Sequence, residues 1–186
     1  MAVDINLIRA YTDGAVYSHA VGATITAPTS ATAVLDVDFV AVGAVSEDGL
    51  TESTSQDRQD IFIWQGAALA RRIPGQFTKT FKFAAAETNL FNLSLNFPGS
   101  TVTQTAEGAS VAEKPPSTDI RAWVLHGTDG SARAQRVYIP KAEITERGDV
   151  VWSSQNITVY EWTLSCYVDD SGVVCYRYFI DEDMSL

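Results

Sequence analysis

The side chains that most often carry enzyme chemistry are few in this chain of 186 residues. It has two histidines, His19 and His126. A histidine at a strand end near Trp123 is more typical of packing than of general acid–base catalysis. The sequence contains no glycine-rich phosphate loop, no nucleophile elbow and no His-Glu-x-x-His zinc motif. Since no motif brings an acid, a base and a nucleophile together, we expect a protein that is not an enzyme.

An acidic run and two cysteines are the remaining candidates for metal or redox chemistry. The run Asp181-Glu182-Asp183 is interpreted as a solvated tail, and we expect neither a metal nor a cofactor. Cys166 and Cys175 flank the turn Asp169-Asp170-Ser171-Gly172. A two-residue loop would place the cysteines opposite each other, whereas Gly172 in a bulge would separate them. The favoured interpretation is two reduced thiols that pack as small apolar side chains.

Composition excludes several classes of function. Hydrophobic residues make up 46% of the chain, which is enough for a folded core, and the length suits one domain over residues 1–186. The net charge of −10 would repel a phosphate backbone. No apolar run is long enough to span a bilayer, and Met1–Asn6 lacks the basic start and apolar block of a signal peptide. We therefore expect synthesis in a cytoplasm and no membrane insertion.

Alternating apolar and polar residues predict a mostly β fold. Tyr160, Trp162 and Leu164 share one face of a strand, opposite Glu161 and Thr163. Residues 173–180 follow across a short turn and predict a C-terminal hairpin. The run 38–45 is a further strand candidate. A hairpin around 127–130 would join residues 120–126 to residues 134–139, with Pro140 limiting the ladder. Phe77, Phe81 and Phe83 also alternate with polar residues, and Lys79 interrupts their apolar face.

Helix signals concentrate at residues 87–97. Thr88 or Asn89 can cap a helix there, and Pro98-Gly99 ends it. The same residues also alternate as in a strand, but a short helix is favoured. Residues 67–73 are interpreted as one helical turn. The segments 23–32, 46–60 and 105–118 are interpreted as loops, and the acidic segment 46–60 is long enough to suggest a functional loop.

The stretch Val45–Ser53 at the start of that acidic segment belongs to the most distinctive part of the sequence. It follows Asp38-Phe39-Val40-Ala41-Val42-Gly43-Ala44 and leads into Asp60-Ile61-Phe62-Ile63-Trp64-Gln65-Gly66. With the late segment Tyr160–Tyr167, these motifs resemble the major tail tube proteins of long-tailed phages, as in phages of actinobacteria. The resemblance covers most of the chain.

This resemblance implies a β-sandwich or half-barrel with one flanking short helix and a long assembly loop. Six copies would form a ring, and rings would stack into the tube of a virion tail assembled in the host cytoplasm. Residues 46–75 would be the arm that reaches a neighbouring ring. Its candidate contact residues are Glu47, Asp48, Gly49, Leu50, Trp64, Arg71 and Arg72. The implied partners are further copies of the chain, a tape measure protein, a tail terminator and tail assembly chaperones.

The lumen of such a tube would conduct genomic DNA without binding it specifically, because acidic side chains repel phosphates. Glu161 is the leading lumen candidate, since it lies mid-strand opposite an apolar face and an unpaired buried carboxylate is costly. Thr163, Glu143 and Glu146 are further lumen candidates, and Lys82 would add positive charge. The alternatives are another phage tail or connector protein, or a β-sandwich carbohydrate-binding module that uses Trp64 or Trp152.

Overall fold

The computed structural model describes residues 7–19, 25–130, 132–181 and 184. These residues form a mostly β fold with one short α-helix, which confirms the fold class expected from the alternating pattern. The strands are β1 Asp13–His19, β2 Phe39–Ala41, β3 Thr51–Phe62, β4 Leu69–Ala85, β5 Thr101–Thr105, β6 Gly108–Ala112, β7 Ile120–Asp129, β8 Arg133–Arg147, β9 Tyr160–Cys166 and β10 Tyr176–Ile180. Helix α1 spans Leu90–Asn96, and a 3-10 turn at Gln65–Ala67 joins β3 to β4.

Eight strands form one antiparallel sheet in the order β2-β1-β7-β8-β9-β4-β3, and β10 also pairs with β8. Strands β5 and β6 form a separate hairpin, and β6 lies within the segment 105–118 that was expected to be a loop. The predicted hairpin around residues 127–130 is confirmed as β7–β8. Pro140 lies where the register between β7 and β8 shifts, so its missing N–H removes little of the hydrogen bonding between the two strands. Strand β8 therefore continues beyond Pro140.

Strands β9 and β10 do not form the C-terminal hairpin that the sequence suggests. Both run antiparallel to β8, β9 opposite residues 142–147 and β10 opposite residues 134–138, so they follow one another in the same direction along one edge. The intervening loop does not reverse the chain. It is closed by the Asp169 carboxylate, whose Oδ1 accepts the N–H groups of Ser171 at 2.9 Å and Val173 at 2.8 Å. Cys166 and Cys175 are free, half-buried and packed against the core.

The acidic segment expected to be a loop is largely strand. Residues 51–62 form β3, which pairs with β4 from Thr51–Lys82 to Phe62–Leu69. The helical turn expected at 67–73 is wrong because Leu69–Ile73 belongs to β4, and the 3-10 turn lies just before it. The strand expected over 38–45 is reduced to β2 and a bridge between Val45 and Ala85. Residues 25–32 contain no strand, and residues 20–24 lie outside the described part.

The main core lies on one face of the sheet, under α1. Phe83 packs edge-on against Trp162 and Trp123, with ring centroids 5.8 and 6.2 Å apart. Helix α1 begins where the Asn89 side chain accepts the N–H of Asn92 at 2.8 Å, which confirms the predicted cap. The helix contributes the buried side chain of Leu95 to the core.

A smaller apolar cluster covers part of the opposite face. It contains Phe39, Val124 and Tyr138, and the segment 25–38 packs on it through Ile25 and Leu35. That cover does not extend over β4, β9 and the second half of β8, where the outward side chains are polar and at least partly exposed. The sheet therefore has one polar region and one long hairpin that are not packed into its own core.

Candidate assembly surfaces

The described part of the chain has no arrangement typical of a catalytic or metal site. Within it, no three His, Cys, Asp or Glu side chains are grouped to hold a metal ion, and no helix is long and apolar enough to cross a membrane. His19 is buried edge-on against Phe39. Burial lowers the pKa of His126 below the ordinary histidine value, which favours a neutral ring. Asp181 is described, whereas Glu182 and Asp183 of the acidic run lie outside the described residues.

The first candidate surface is the hairpin arm, defined as residues 51–78 of β3, β4 and their connection. Every residue of this arm is exposed, although the two strands pair with each other along most of their length, with two register shifts. Twelve residues of β3 span about 40 Å at ~3.3 Å per residue. The connection carries Trp64, which is 97% exposed, next to the exposed Phe62 and Ile63. The arm is therefore a ribbon that buries almost nothing in its own subunit.

Two arginines lie near the tip of the arm. Arg72 faces Asp60 across the hairpin and donates to its carboxylate at 2.9 Å. Arg71 is opposite Ile61, and both are exposed. From Ile61 to Ile73 the sequence has these two positive charges and no carboxylate. The tip is thus apolar and basic on a chain that is acidic overall.

A charged network fixes the root of the arm. Lys79 is buried and donates to Glu52 and, at 2.7 Å, to Thr54. Arg177 of β10 donates to the same Glu52 carboxylate at 2.5 Å. Burial alone would raise the pKa of Glu52, but the hydrogen bonds from Arg177 and Lys79 outweigh it and hold this pKa below the ordinary value. Sequence analysis missed this site, although Lys79 was visible as the break in an apolar pattern.

The turn that begins the arm occupies residues 46–50. The N–H of Gly49 donates to the carbonyl of Ser46 at 3.0 Å, and Gly49 has a φ of +66°, which favours glycine. Glu47 and Asp48 are exposed in this turn, and Leu50 is 38% exposed. The residues predicted at the arm thus fall into two groups. The first group, at the root, is Glu47, Asp48, Gly49 and Leu50, and the second, at the tip, is Trp64, Arg71 and Arg72.

The root of the arm also borders a groove of about 700 Å³. Its floor is the edge of the main core, with Val16 and Leu125 among its side chains. Tyr11, which is 48% exposed, and Leu50 line it as well. Its acidic lining residues are Asp13, Glu47, Asp48 and Glu52, and none of the described lining residues is a lysine or arginine.

The second candidate surface is the polar face, defined as the outward side of β4, β9 and the second half of β8. Thr163 of β9 is the Cα partner of both Lys82 and Glu146, and Glu143 is the partner of Ser165. The structure thus brings all four predicted lumen residues to one face, together with Lys82. Lys82 pairs with Glu161 at 3.1 Å, and both side chains remain about half exposed.

The carboxylates of the polar face have different environments. Glu143 accepts the Tyr167 hydroxyl at 3.0 Å, and this hydrogen bond raises the Tyr167 pKa. Glu146 is exposed beside a register shift in β8 that turns both Thr145 and Glu146 outward. Lys141 also lies on this face and is paired with Asp170 at 2.6 Å, so three further carboxylates against Lys82 leave the face with a net negative charge.

Two solved structures are similar to this chain at low sequence identity. No curated protein matches the chain. It is similar to a chain in the virion of a native gene transfer agent particle, with a TM-score of 0.43 and 14% identity, over 79% of this chain and 92% of that one. It is also similar to a chain in the sheath/tube terminator of an extracellular contractile injection system, PVC, in the extended state. That match has a TM-score of 0.48 and 12% identity, over 94% of this chain and 99% of that one.

A family model described as phage tail tube protein matches residues 1–185. The chain therefore belongs to the phage tail tube protein family.

Proposed function

We propose that this chain is the repeating subunit of a tail tube in which six copies form a ring and the rings stack into a hollow conduit for DNA. The observation that carries the proposal is the hairpin arm, whose residues 51–78 are all exposed. An isolated two-stranded hairpin is at best marginally stable in water, so an arm of this length gains most by packing on another chain.

The edges of the sheet support ring formation by the same chain. β3 is at one end of the strand order and β2 at the other. A long exposed edge strand presents unpaired N–H and C=O groups to which another chain can bind, and proteins that stay monomeric usually avoid such an edge. Head-to-tail contacts between unlike edges generate a ring when the rotation closes, and a filament when stacking does not close.

The polar face supports the assignment of a lumen. Glu161, Glu143 and Glu146 outnumber Lys82, which gives a net charge of roughly −12 in a ring of six at neutral pH. The neighbouring residues Thr145, Thr163 and Ser165 are hydroxyls without charge. A wall of carboxylates and hydroxyls repels phosphates at short range, so DNA slides without binding.

The partners follow from family membership and are part of the proposal. Copies of the chain form the tube, a tape measure protein occupies it during assembly, and a terminator and assembly chaperones control its growth. The finished tube lies in the virion tail and is assembled in the host cytoplasm.

Electron microscopy of the purified chain at increasing concentration tests the proposal. We expect hollow tubes whose end-on views show sixfold symmetry, and an abundant band of this chain in purified virions. Persistent monomers under all assembly conditions, together with only a few copies per virion, would contradict it. Low copy number would instead favour a terminator or connector role.

A further inference from the structure

We propose that the arm tip of one copy inserts into the groove at the arm root of a second copy, with Trp64 as the anchor. This inference rests on the proposed tube function and names the receptor site for the arm. The groove is the space bordered by Tyr11, Leu50 and the turn at residues 46–50, with a volume of about 700 Å³. This volume is within the range of roughly 300–1,000 Å³ that is typical of pockets for drug-sized ligands.

The arm tip matches this groove in polarity. Trp64, Phe62 and Ile63 are exposed at one end of the arm, and aromatic side chains are the usual anchors of protein interfaces. In the groove, Tyr11 and Leu50 provide partly exposed apolar surface above the floor formed by the core. Insertion would therefore remove apolar area from water on both sides of the contact.

Charge favours the same pairing. The tip carries Arg71 and Arg72, and Arg72 is paired with Asp60 at 2.9 Å, so the tip has a net charge of about +1. The groove is lined by Asp13, Glu47 and Asp48, and its one histidine, His126, has a pKa lowered by burial. Opposite charges on the two surfaces steer the encounter and disfavour tip-to-tip or groove-to-groove contacts, in which like charges would meet.

A chain cannot fill its own groove with its own tip. The groove lies at the start of β3, and Trp64 follows the end of that strand, about 40 Å away at ~3.3 Å per residue. The contact must therefore be between copies, and it is heterologous because a tip meets a groove. Each insertion leaves a new free tip and a new free groove, so the contact can repeat from copy to copy, around a ring or along a stack.

Cross-linking in assembled tubes tests the insertion. The Thr12→Cys/Gln65→Cys chain places one thiol in the groove and one beside Trp64 while leaving Trp64 and the charged residues in place. We expect a short bis-maleimide to convert these tubes into a ladder of covalent multimers. The matched control is Ser154→Cys/Gln65→Cys, in which the first thiol is on an exposed loop outside the groove. Burial raises the pKa of native Cys166 to about 12, and the control pair carries the same two native thiols, Cys166 and Cys175, as background.

The anchor is tested with a pair of exposed tryptophans. Trp64 is 97% and Trp152 is 90% exposed. We expect Trp64→Ala to raise the critical concentration for tube growth by at least ~10-fold, as for a buried aromatic anchor, and Trp152→Ala to change it by less than ~3-fold.

Three outcomes decide the matter. The inference is supported if the Thr12→Cys/Gln65→Cys chain gives a ladder of covalent multimers, the control chain does not, and Trp64→Ala raises the critical concentration for tube growth. Tubes that form normally but give no ladder from the groove pair overturn the inference while leaving the tube function intact. If the parent chain never forms tubes, the proposed function fails and the inference fails with it.

Discussion

Shortening the arm at a matched strand pair separates its role in assembly from any role in folding. Gln56 and Phe77 are Cα partners across the hairpin, so residues 57–76 can be replaced by an Asn-Gly turn between them. This variant keeps Glu52, Thr54 and Lys79 at the root. It removes only residues that are exposed, including Trp64, Arg71 and Arg72.

The expected cost in stability follows from burial. Substitutions at exposed surface positions usually change the free energy of unfolding by less than about 0.5 kcal/mol each, and this segment contributes nothing to the two core clusters. We expect a net change below about 1 kcal/mol, or a shift in Tm of less than about 4 °C for a chain of this size. Deleting Glu47–Arg58 instead would remove Glu52 and leave buried Lys79 without its carboxylate, at a cost of about 1–3 kcal/mol.

Calorimetry measures the Tm of the shortened chain, sedimentation velocity measures its oligomeric state, and electron microscopy shows whether it forms tubes. The shortened chain should be a folded monomer with nearly the parent Tm and should form no tubes at concentrations where the parent chain polymerises. A fall in Tm of more than about 10 °C would mean that the arm belongs to the folding unit. Tubes of normal length would refute the reasoning that the arm carries the assembly contact.

Three further changes probe the root, the polar face and the core. Glu52→Gln should lower the free energy of unfolding by about 1–3 kcal/mol at pH 7, because Lys79 and Arg177 lose their carboxylate. Since the folded pKa of Glu52 is lowered, its contribution is complete above the ordinary value of 4.5 and is lost as pH falls through the folded pKa. Urea unfolding of variant and parent should therefore converge in acid, and a pH-independent difference would contradict this. Glu161→Lys should make assembled tubes retain DNA at low salt and release it as the salt concentration rises, as measured by gel retention. Glu161→Gln should retain an intermediate amount of DNA. Equal retention by the parent chain and both variants would argue against a lumen position. Trp162→Ala should cost about 3–5 kcal/mol in urea unfolding because the indole is fully buried, and a loss below 1 kcal/mol would contradict its place in the core.

Patterns that depend on burial within one subunit were readable from the sequence. Tyr160, Trp162 and Leu164 alternate because one face of β9 packs on the core, and the helix cap at Asn89 is a local hydrogen bond. The position of Glu161 opposite that apolar face followed from the same alternation. Its ion pair with Lys82 was not predicted, because it depends on the register between β4 and β9.

Segments whose partners lie outside the local sequence were misread. Strand β3 has polar residues on both faces from Thr51 to Asp60, because neither face is buried in the subunit, and it therefore resembled a loop. The turn at Asp169–Gly172 has hairpin chemistry, but β8 pairs with the strands on both sides of it and the chain continues in one direction. Hydrophobic periodicity cannot reveal either arrangement, since both are set by pairing with a distant strand.

The position of β1 in the sheet has a consequence for how the chain is made. Asp13 pairs with Thr128, a residue 115 positions later, so β1 leaves the ribosome long before its partner β7 exists. At ~5–20 residues per second, the wait for these 115 residues is roughly 6–23 s. The local β7–β8 hairpin is the natural nucleus, and β1, β4 and β9 then add to it through slow, non-local closures. During that interval the nascent chain exposes unpaired strands, so misassembly competes with folding while the chain is being synthesised.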